Sequence, residues 1–122
     1  MEIYNLKHFT RGWLVGNFEP SIEKREDIEV GIQKYSKGEE HPGHYHKISD
    51  EFNVVISGKC KFRFYTKDEQ PGDKWNITDN ITLETNDIIK IDKNQATSFE
   101  AVEDCVILCI KTSSVINDKF LI

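Results

Sequence analysis

The sequence predicts an all-β fold, either a sandwich or a small barrel. Six short runs are rich in β-branched and aromatic residues, and clusters of glycine, proline, asparagine and aspartate separate them. No window sustains helical periodicity over three turns. Many short strands joined by regular turns are typical of sandwiches and barrels.

The predicted strands follow one another along the chain and cover residues 13–15, 28–35, 52–56, 60–65, 87–91 and 104–110. Ser57-Gly58-Lys59 predicts a tight hairpin between the third and the fourth of them. The charged residues 21–27 form one helical turn at most. Residues 68–80, which include Pro71-Gly72-Asp73, predict an exposed loop with Trp75 as a packing anchor.

Length and composition favour one ordinary domain, residues 1–122, since 38% of the residues are apolar and 30% are charged. No apolar run approaches the length of a membrane span, and Met1-Glu2-Ile3-Tyr4 does not open a signal segment. We therefore expect a cytoplasmic protein without a membrane partner. A net charge of −5 and scattered lysines argue against a nucleic-acid partner.

The three cysteines, Cys60, Cys105 and Cys109, contain no C-x-x-C pair. Free cysteine is among the most buried residue types and packs as a small hydrophobic side chain. We expect buried free thiols rather than a metal or redox site.

Three of the four histidines lie within six residues, at His41, His44 and His46, and Glu51 follows five positions after His46. Imidazole beside carboxylate suits zinc, iron, nickel or manganese. On an extended segment, side chains two apart share a face, so His44 and His46 point the same way. Glu51 lies at an odd separation from both, so residues 47–50 must bend the chain if the three are to converge.

These residues also carry a resemblance. Gly38, five residues, His44-X-His46, four residues, Glu51, six residues and Gly58 resemble the first signature of the cupin superfamily with no position missing. Five fixed residue types at fixed spacing, two of them histidine, make the resemblance specific. The chain is similar to the smaller, single-domain bacterial cupins.

Residues 86–99 are similar in outline to the second cupin signature but depart from it. Asn86 stands where the family has glycine, and Asp92 and Lys93 replace the usual prolines. Thr97 stands where the family places a histidine as its fourth metal ligand. The two signatures with their flanking strands cover about residues 29–111.

The resemblance implies a jelly-roll-like antiparallel barrel, a double-stranded β-helix, whose pocket is lined by the first signature. It implies His44, His46 and Glu51 as ligands of a divalent metal, Fe, Mn, Ni or Zn. Two histidines and one carboxylate are also the ligand set of non-heme iron(II) enzymes, and Thr97 can then orient a bound water. Gln33, Tyr35 and Tyr45 are further pocket-lining candidates.

Three functions follow, and no residue is assigned a catalytic role. The first is a small metalloenzyme, a dioxygenase or isomerase, that acts on a polar small molecule or carbohydrate in the barrel. The second is a metal-free isomerase or epimerase of a sugar or nucleotide sugar, with a histidine as base. The third is a non-catalytic module that binds a metabolite. Fold resemblance alone does not choose among them.

His41 lies three residues before His44, so on a regular strand it faces the opposite way. Pro42-Gly43 can bend the chain enough to bring it back. We expect His41 to be a solvated loop residue and not a ligand.

The strand that follows the histidines indicates how the protein assembles. Its odd positions, beginning with Glu51, form one face, while Phe52, Val54 and Ile56 form a wholly apolar opposite face. A second sheet or a neighbouring subunit must cover that face. We expect a homodimer.

Overall fold

Two β-sheets contain most of the chain in this computed structural model, which describes residues 1–69 and 74–122. Two short 3-10 turns, Leu6–His8 and Thr10–Gly12, precede the first strand. The strands are β1 Trp13–Gly16, β2 Glu23–Lys24, β3 Glu29–Tyr35, β4 Glu40–Tyr45, β5 Glu51–Ser57, β6 Lys59–Lys67, β7 Trp75–Glu84, β8 Ile88–Ile91, β9 Ala96–Ala101, β10 Cys105–Lys111 and β11 Phe120–Leu121. No helix in the described part of the chain is long and apolar enough to span a membrane.

The first sheet has six strands in the order β2-β1-β3-β10-β5-β8, and the second has five in the order β11-β4-β9-β6-β7. Every pairing is antiparallel except that of β1 with β2. Neighbours in a sheet are mostly distant in sequence, as in a jelly roll. The predicted all-β fold class is confirmed.

The core lies between the two sheets because each strand turns alternate side chains toward the other sheet. Val55 and Ile107 come from the six-stranded sheet, and Cys60, Phe62 and Phe99 come from the five-stranded one. Burying an aliphatic or aromatic side chain of this kind contributes about 1.5–3 kcal/mol. The three cysteines are free and buried, as predicted.

The prediction of a hairpin at Gly58 is wrong. β5 ends at Ser57 and β6 begins at Lys59, but the two strands belong to different sheets and do not pair. Gly58, at φ 91°, turns the chain from one sheet to the other, so both strands can face the same core.

The predicted loop over residues 68–80 is also wrong from Trp75 onward, because β7 begins there. β7 is a mostly exposed edge strand whose polar residues carry no strand signal, and its pairing with β6 holds it in place. Trp75 packs against Tyr45, with ring centroids 5.8 Å apart. Pro71-Gly72-Asp73 lie outside the described residues, and residues 21–27 contain β2 rather than a helical turn.

Candidate functional site

A cavity of about 790 Å³ opens between the two sheets. Its size falls within the usual range of small-molecule sites. Six of the seven residues that the sequence marked as ligands or pocket lining contribute to its wall: Gln33, Tyr35, His44, His46, Glu51 and Thr97. The prediction for Tyr45 is wrong, because its ring packs against those of Trp75 and Phe120 instead. The structure therefore brings both cupin signatures to one cavity.

The bend between β4 and β5 brings Glu51 to the histidines, as the odd spacing required. The Asp118 carboxylate accepts hydrogen bonds from the backbone N–H groups of Lys47 at 2.8 Å, Ile48 at 3.1 Å and Ser49 at 3.0 Å. These donors belong to three successive residues of the bend. Asp118 thus fixes this turn although it lies 72 positions after His46 in the sequence. Its backbone carbonyl also accepts a hydrogen bond from the His46 ring.

Hydrogen bonds set the tautomer of both candidate histidine ligands. Nδ1 of His46 meets the backbone carbonyl of Asp118, and Nδ1 of His44 lies 3.2 Å from the carbonyl of Pro42. Because a carbonyl only accepts, each Nδ1 carries the hydrogen, and the Nε2 of a neutral ring presents its lone pair. Among the described residues, the buried Nε2 of His46 has no hydrogen-bond partner.

Burial lowers the pKa of His44 below its ordinary value. The hydrogen bond with Pro42 opposes this effect, and the charge of Lys119 adds to it. His44 is therefore neutral at pH 7, so its Nε2 lone pair is available to a metal or a proton.

The carboxylate of Glu51 is held on both oxygens. Oε2 accepts a hydrogen bond from Nδ2 of Asn53 at 3.2 Å, and Oε1 accepts one from Sγ of Cys109 at 3.5 Å. Oε1 lies 4.0 Å from Nε2 of His46. Burial, and then the charge of Glu51, raises the pKa of the Cys109 thiol well above its ordinary value, so it stays protonated and donates.

The donor atoms of His44, His46 and Glu51 are of types that bind a divalent metal, but the distance between His46 and Glu51 is wider than a bound metal requires. Among residues 1–69 and 74–122, no group of three or more His, Cys, Asp or Glu side chains is already placed to hold an ion. Bond lengths of about 2.0–2.2 Å place two tetrahedral ligand atoms about 3.4 Å apart. The 4.0 Å between His46 and Glu51 is wider, so a metal would require these side chains to rotate inward.

Thr97 lies on β9 directly opposite His44 on β4 and is 4% exposed. It thus lies beside His44 on the same wall of the cavity. Burial, with smaller contributions from Cys109 and Glu51, raises the pKa of Tyr35, whose phenol stays protonated as a donor. Nε2 of Gln33 is buried without a hydrogen-bond partner in the described part of the chain.

The prediction that His41 lies in a loop is wrong, although its side chain is 41% exposed and so solvated as expected. His41 lies in β4 and lines the cavity, with its ring 4.9 Å from that of Tyr35 and 5.7 Å from that of Phe99. Between His41 and His44 the pairing of β4 with β9 shifts register. The extra residue of this bulge turns both histidines toward the cavity. A bend at Pro42-Gly43 allows this arrangement.

Several residues that contribute to the site carry no local sequence signal. Asn53 and Cys109 hold Glu51, and Asp118 holds His46. Only strand register or the path of the C-terminal segment brings them to the cavity.

No protein-family model matches the chain, and no curated protein matches it either. Solved structures do. KdgF from Halomonas sp. is 15% identical with a TM-score of 0.60, over 74% of this chain and 73% of that one. A cupin-2 domain containing protein from Shewanella frigidimarina is 25% identical with a TM-score of 0.51, over 69% of each chain.

Oxalate decarboxylase from Bacillus subtilis is 18% identical with a TM-score of 0.62, over 80% of this chain and 24% of that one. At these identities the likeness concerns the fold. The chain has the cupin fold, and the resemblance carried by the first signature is confirmed at that level.

Proposed function

We propose that this cupin-fold chain is a small metal-dependent enzyme, a dioxygenase or isomerase, that acts on a polar small molecule or carbohydrate in the barrel. In this proposal His44, His46 and Glu51 hold a divalent ion, Fe, Mn, Ni or Zn. The observation that carries it is the Nε2 atom of His46, which is buried in the described structure without a hydrogen-bond partner and lies beside a carboxylate.

A buried polar atom without a partner costs about 1–3 kcal/mol. Nε2 of His46 presents a lone pair, so a metal ion, a proton or a hydrogen-bond donor of a bound molecule can remove this cost. The environment of the ring supports a metal, since a ligating histidine generally donates its other N–H to a carbonyl or carboxylate. His46 and His44 both do so, to Asp118 and Pro42.

Glu51 has the second feature of a supported ligand. Asn53 and Cys109 each donate to one of its oxygens and hold the carboxylate toward the cavity. The Mn(II) centres of Bacillus subtilis oxalate decarboxylase support the proposal from a protein of the same fold.

Two histidines and one carboxylate leave open coordination positions, where a bound metal can polarise a substrate carbonyl or activate water. The protein residues around that space are donors. The protonated phenol of Tyr35 and the amide of Gln33 can each donate to a substrate oxygen, and the Thr97 hydroxyl can orient a water molecule.

A second candidate, a metal-free isomerase or epimerase of a sugar or nucleotide sugar, is favoured by the same ring. Nδ1 of His46 is oriented by a carbonyl, and Glu51 lies 4.0 Å from Nε2. An oriented imidazole next to a carboxylate is also the arrangement of a general base. In that case Glu51 stabilises the imidazolium that forms on proton transfer.

Metal content tests the first proposal. Protein purified without chelator, and protein reloaded with each ion, is measured by elemental analysis and by calorimetric titration. We expect about one ion per chain for wild type and at least a tenfold weaker affinity for Glu51→Gln. His41→Gln is the matched control, because His41 lines the same cavity outside the ligand set, and it retains wild-type affinity.

Failure to bind iron, manganese, nickel or zinc after loading contradicts the metal proposal. Turnover by metal-free protein that is lost in His46→Gln favours the second candidate. Full turnover in His46→Gln counts against it.

A further inference from the structure

The cavity wall carries an excess of positive charge although the chain has a net charge of −5. Its cations are Arg11, Lys34, Lys111 and Lys119, and its carboxylates are Glu29, Glu39 and Glu51. The wall thus has four cations to three carboxylates. Cations at a cleft attract ligands of the opposite charge.

The carboxylates of the wall already have basic partners. Glu29 lies 3.7 Å from Nζ of Lys111, and Glu39 lies 3.6 Å from Nε2 of His41. Glu51 lies 4.0 Å from Nε2 of His46. Of these partners only Lys111 carries a fixed positive charge, and it offsets the charge of Glu29.

The cations at the rim differ from the carboxylates in this respect. Within the described residues, no ion pair joins Arg11, Lys34 or Lys119 to a carboxylate. All three side chains are exposed, so their charged groups can move to meet a ligand. Three cations of the cavity wall therefore have no carboxylate partner in the described structure.

Deeper in the cavity lies a donor without an acceptor. Nε2 of Gln33 is buried and lacks a hydrogen-bond partner in the part of the chain that the structure describes. A Cβ at Gly31 would lie 2.7 Å from this atom and 2.6 Å from Cε3 of Trp13, so Gly31 leaves room for both side chains. An amide N–H requires an acceptor, and no acceptor in the described part of the chain supplies it.

We propose that the cavity binds a small molecule bearing an oxyanion, a carboxylate or a phosphate. The anionic group lies near Arg11 and Lys119, and an oxygen of the same molecule accepts the hydrogen bond of Gln33. This inference names the substrate class of the site proposed above. It does not require that the site hold a metal.

The test uses metal-free protein, prepared with chelator and dialysed, so that an ion cannot bind the probe. Calorimetric titration compares succinate and inorganic phosphate with 1,4-butanediol, the uncharged counterpart of succinate. We expect at least one of the two anions to bind tenfold or more tightly than the diol. Binding weakens as salt is raised because the rim cations are exposed.

Two variants locate the binding. Lys119→Gln weakens the preferred anion three- to tenfold and reduces its salt dependence, and Gln33→Leu weakens it about tenfold. Lys90→Gln is the control, because Lys90 lies outside the cavity and pairs with Asp92 at 3.1 Å. Thermal unfolding is measured for each variant, and the exposed Lys119 position keeps the test valid if Gln33→Leu does not fold.

The relative affinities of succinate and phosphate identify which oxyanion the site prefers. Equal binding of the diol, or unchanged affinity in both Lys119→Gln and Gln33→Leu, overturns the inference. Anion binding that is kept in Glu51→Gln supports the subsite even where the metal proposal fails. If an anion binds only to metal-loaded protein, and its affinity is unchanged in both Lys119→Gln and Gln33→Leu, the proposed anion subsite is overturned. The metal proposal is not affected by that result.

Discussion

Asp118 holds His46 through its backbone and the turn after His46 through its side chain. Its carbonyl accepts the Nδ1–H of the ring, and its carboxylate accepts the N–H groups of Lys47 and Ser49. Burial alone would raise the pKa of Asp118, but the hydrogen bonds from Lys47, Ser49 and Ile48 together lower it below the ordinary value. One charged residue near the C-terminus therefore orients a proposed ligand and places Glu51.

We predict that Asp118→Ala weakens metal binding as well as the fold. Losing the acceptor for buried N–H groups lowers the free energy of unfolding by about 1–3 kcal/mol. The backbone carbonyl that accepts the His46 ring hydrogen remains, but loss of the carboxylate loosens the turn that places Glu51, which lowers metal affinity about tenfold. Urea unfolding and calorimetric titration measure the two effects.

Asp104→Ala is the matched control, since Asp104 accepts the backbone N–H of Lys37 at 2.8 Å outside the site. It affects stability alone. Equal loss of metal affinity in both variants would contradict a positioning role for Asp118.

We predict that His44 makes the metal-free protein less stable in acid. Burial lowers its pKa in the folded state, so the unfolded chain binds the proton more readily. The contribution of the neutral ring is complete above the unfolded pKa of about 6.5 and is lost as the pH falls toward the folded pKa. One such group changes the free energy of unfolding by at most about 1.4 kcal/mol per pH unit.

Urea unfolding between pH 5 and pH 8 tests the prediction for His44. In the variant His44→Gln, the free energy of unfolding depends less steeply on pH below pH 7 than in wild type. The variant His8→Gln, at an exposed position, keeps the wild-type dependence. An identical slope in wild type and His44→Gln would refute the assignment.

Strand patterns predicted most of the six-stranded sheet because its residues are β-branched and half-buried. β7 was missed because an exposed edge strand needs only a partner, here β6, and no apolar pattern. At Gly58 the local turn signal was correct, but the sheet assignment of the next strand depends on long-range pairing.

The first signature predicted that His44, His46 and Glu51 line one cavity. It did not predict the bulge that turns His41 into the same cavity, since a bulge depends on the partner strand. Asp118 lies far along the chain in a segment without a pattern. Its contact with the His46 turn is a property of the folded path alone.

The two glycines of the first signature are predicted to differ in their tolerance of a side chain. Both have positive φ, 89° at Gly38 and 91° at Gly58. A Cβ at Gly38 meets nothing within 4 Å, whereas one at Gly58 would lie 2.1 Å from the carbonyl oxygen of Asp104. Gly38→Ala therefore costs only the backbone strain of about 1–2 kcal/mol.

Gly58→Ala carries the same strain and also displaces the backbone at Asp104. We expect its loss of unfolding free energy to exceed that of Gly38→Ala by at least about 2 kcal/mol, as measured by urea unfolding. Equal losses would contradict this prediction, because the backbone at Asp104 would then move away from the new Cβ without lowering the free energy of unfolding.

The outer face of the six-stranded sheet is apolar, as the alternation after Glu51 predicted. Phe52 and Val54 on β5 lie beside Ile110 and Leu108 on β10. The five-stranded sheet packs on the other side, against the face that carries the buried Val55. A second sheet therefore does not cover the outer face in the described residues, which leaves a neighbouring subunit as the remaining alternative.

We predict a homodimer formed through this face. Adjacent aliphatic side chains on three strands form a contiguous patch, and such patches are uncommon on monomers unless they bind a partner. Sedimentation equilibrium is expected to give twice the 14.2 kDa chain mass. Ile88→Lys, at a position 66% exposed on the edge strand of this face, shifts the equilibrium to monomer because it places a charge in the interface. Ile77→Lys, at a position 57% exposed on the other sheet, leaves it unchanged, and a wild-type monomer at all concentrations would refute the prediction.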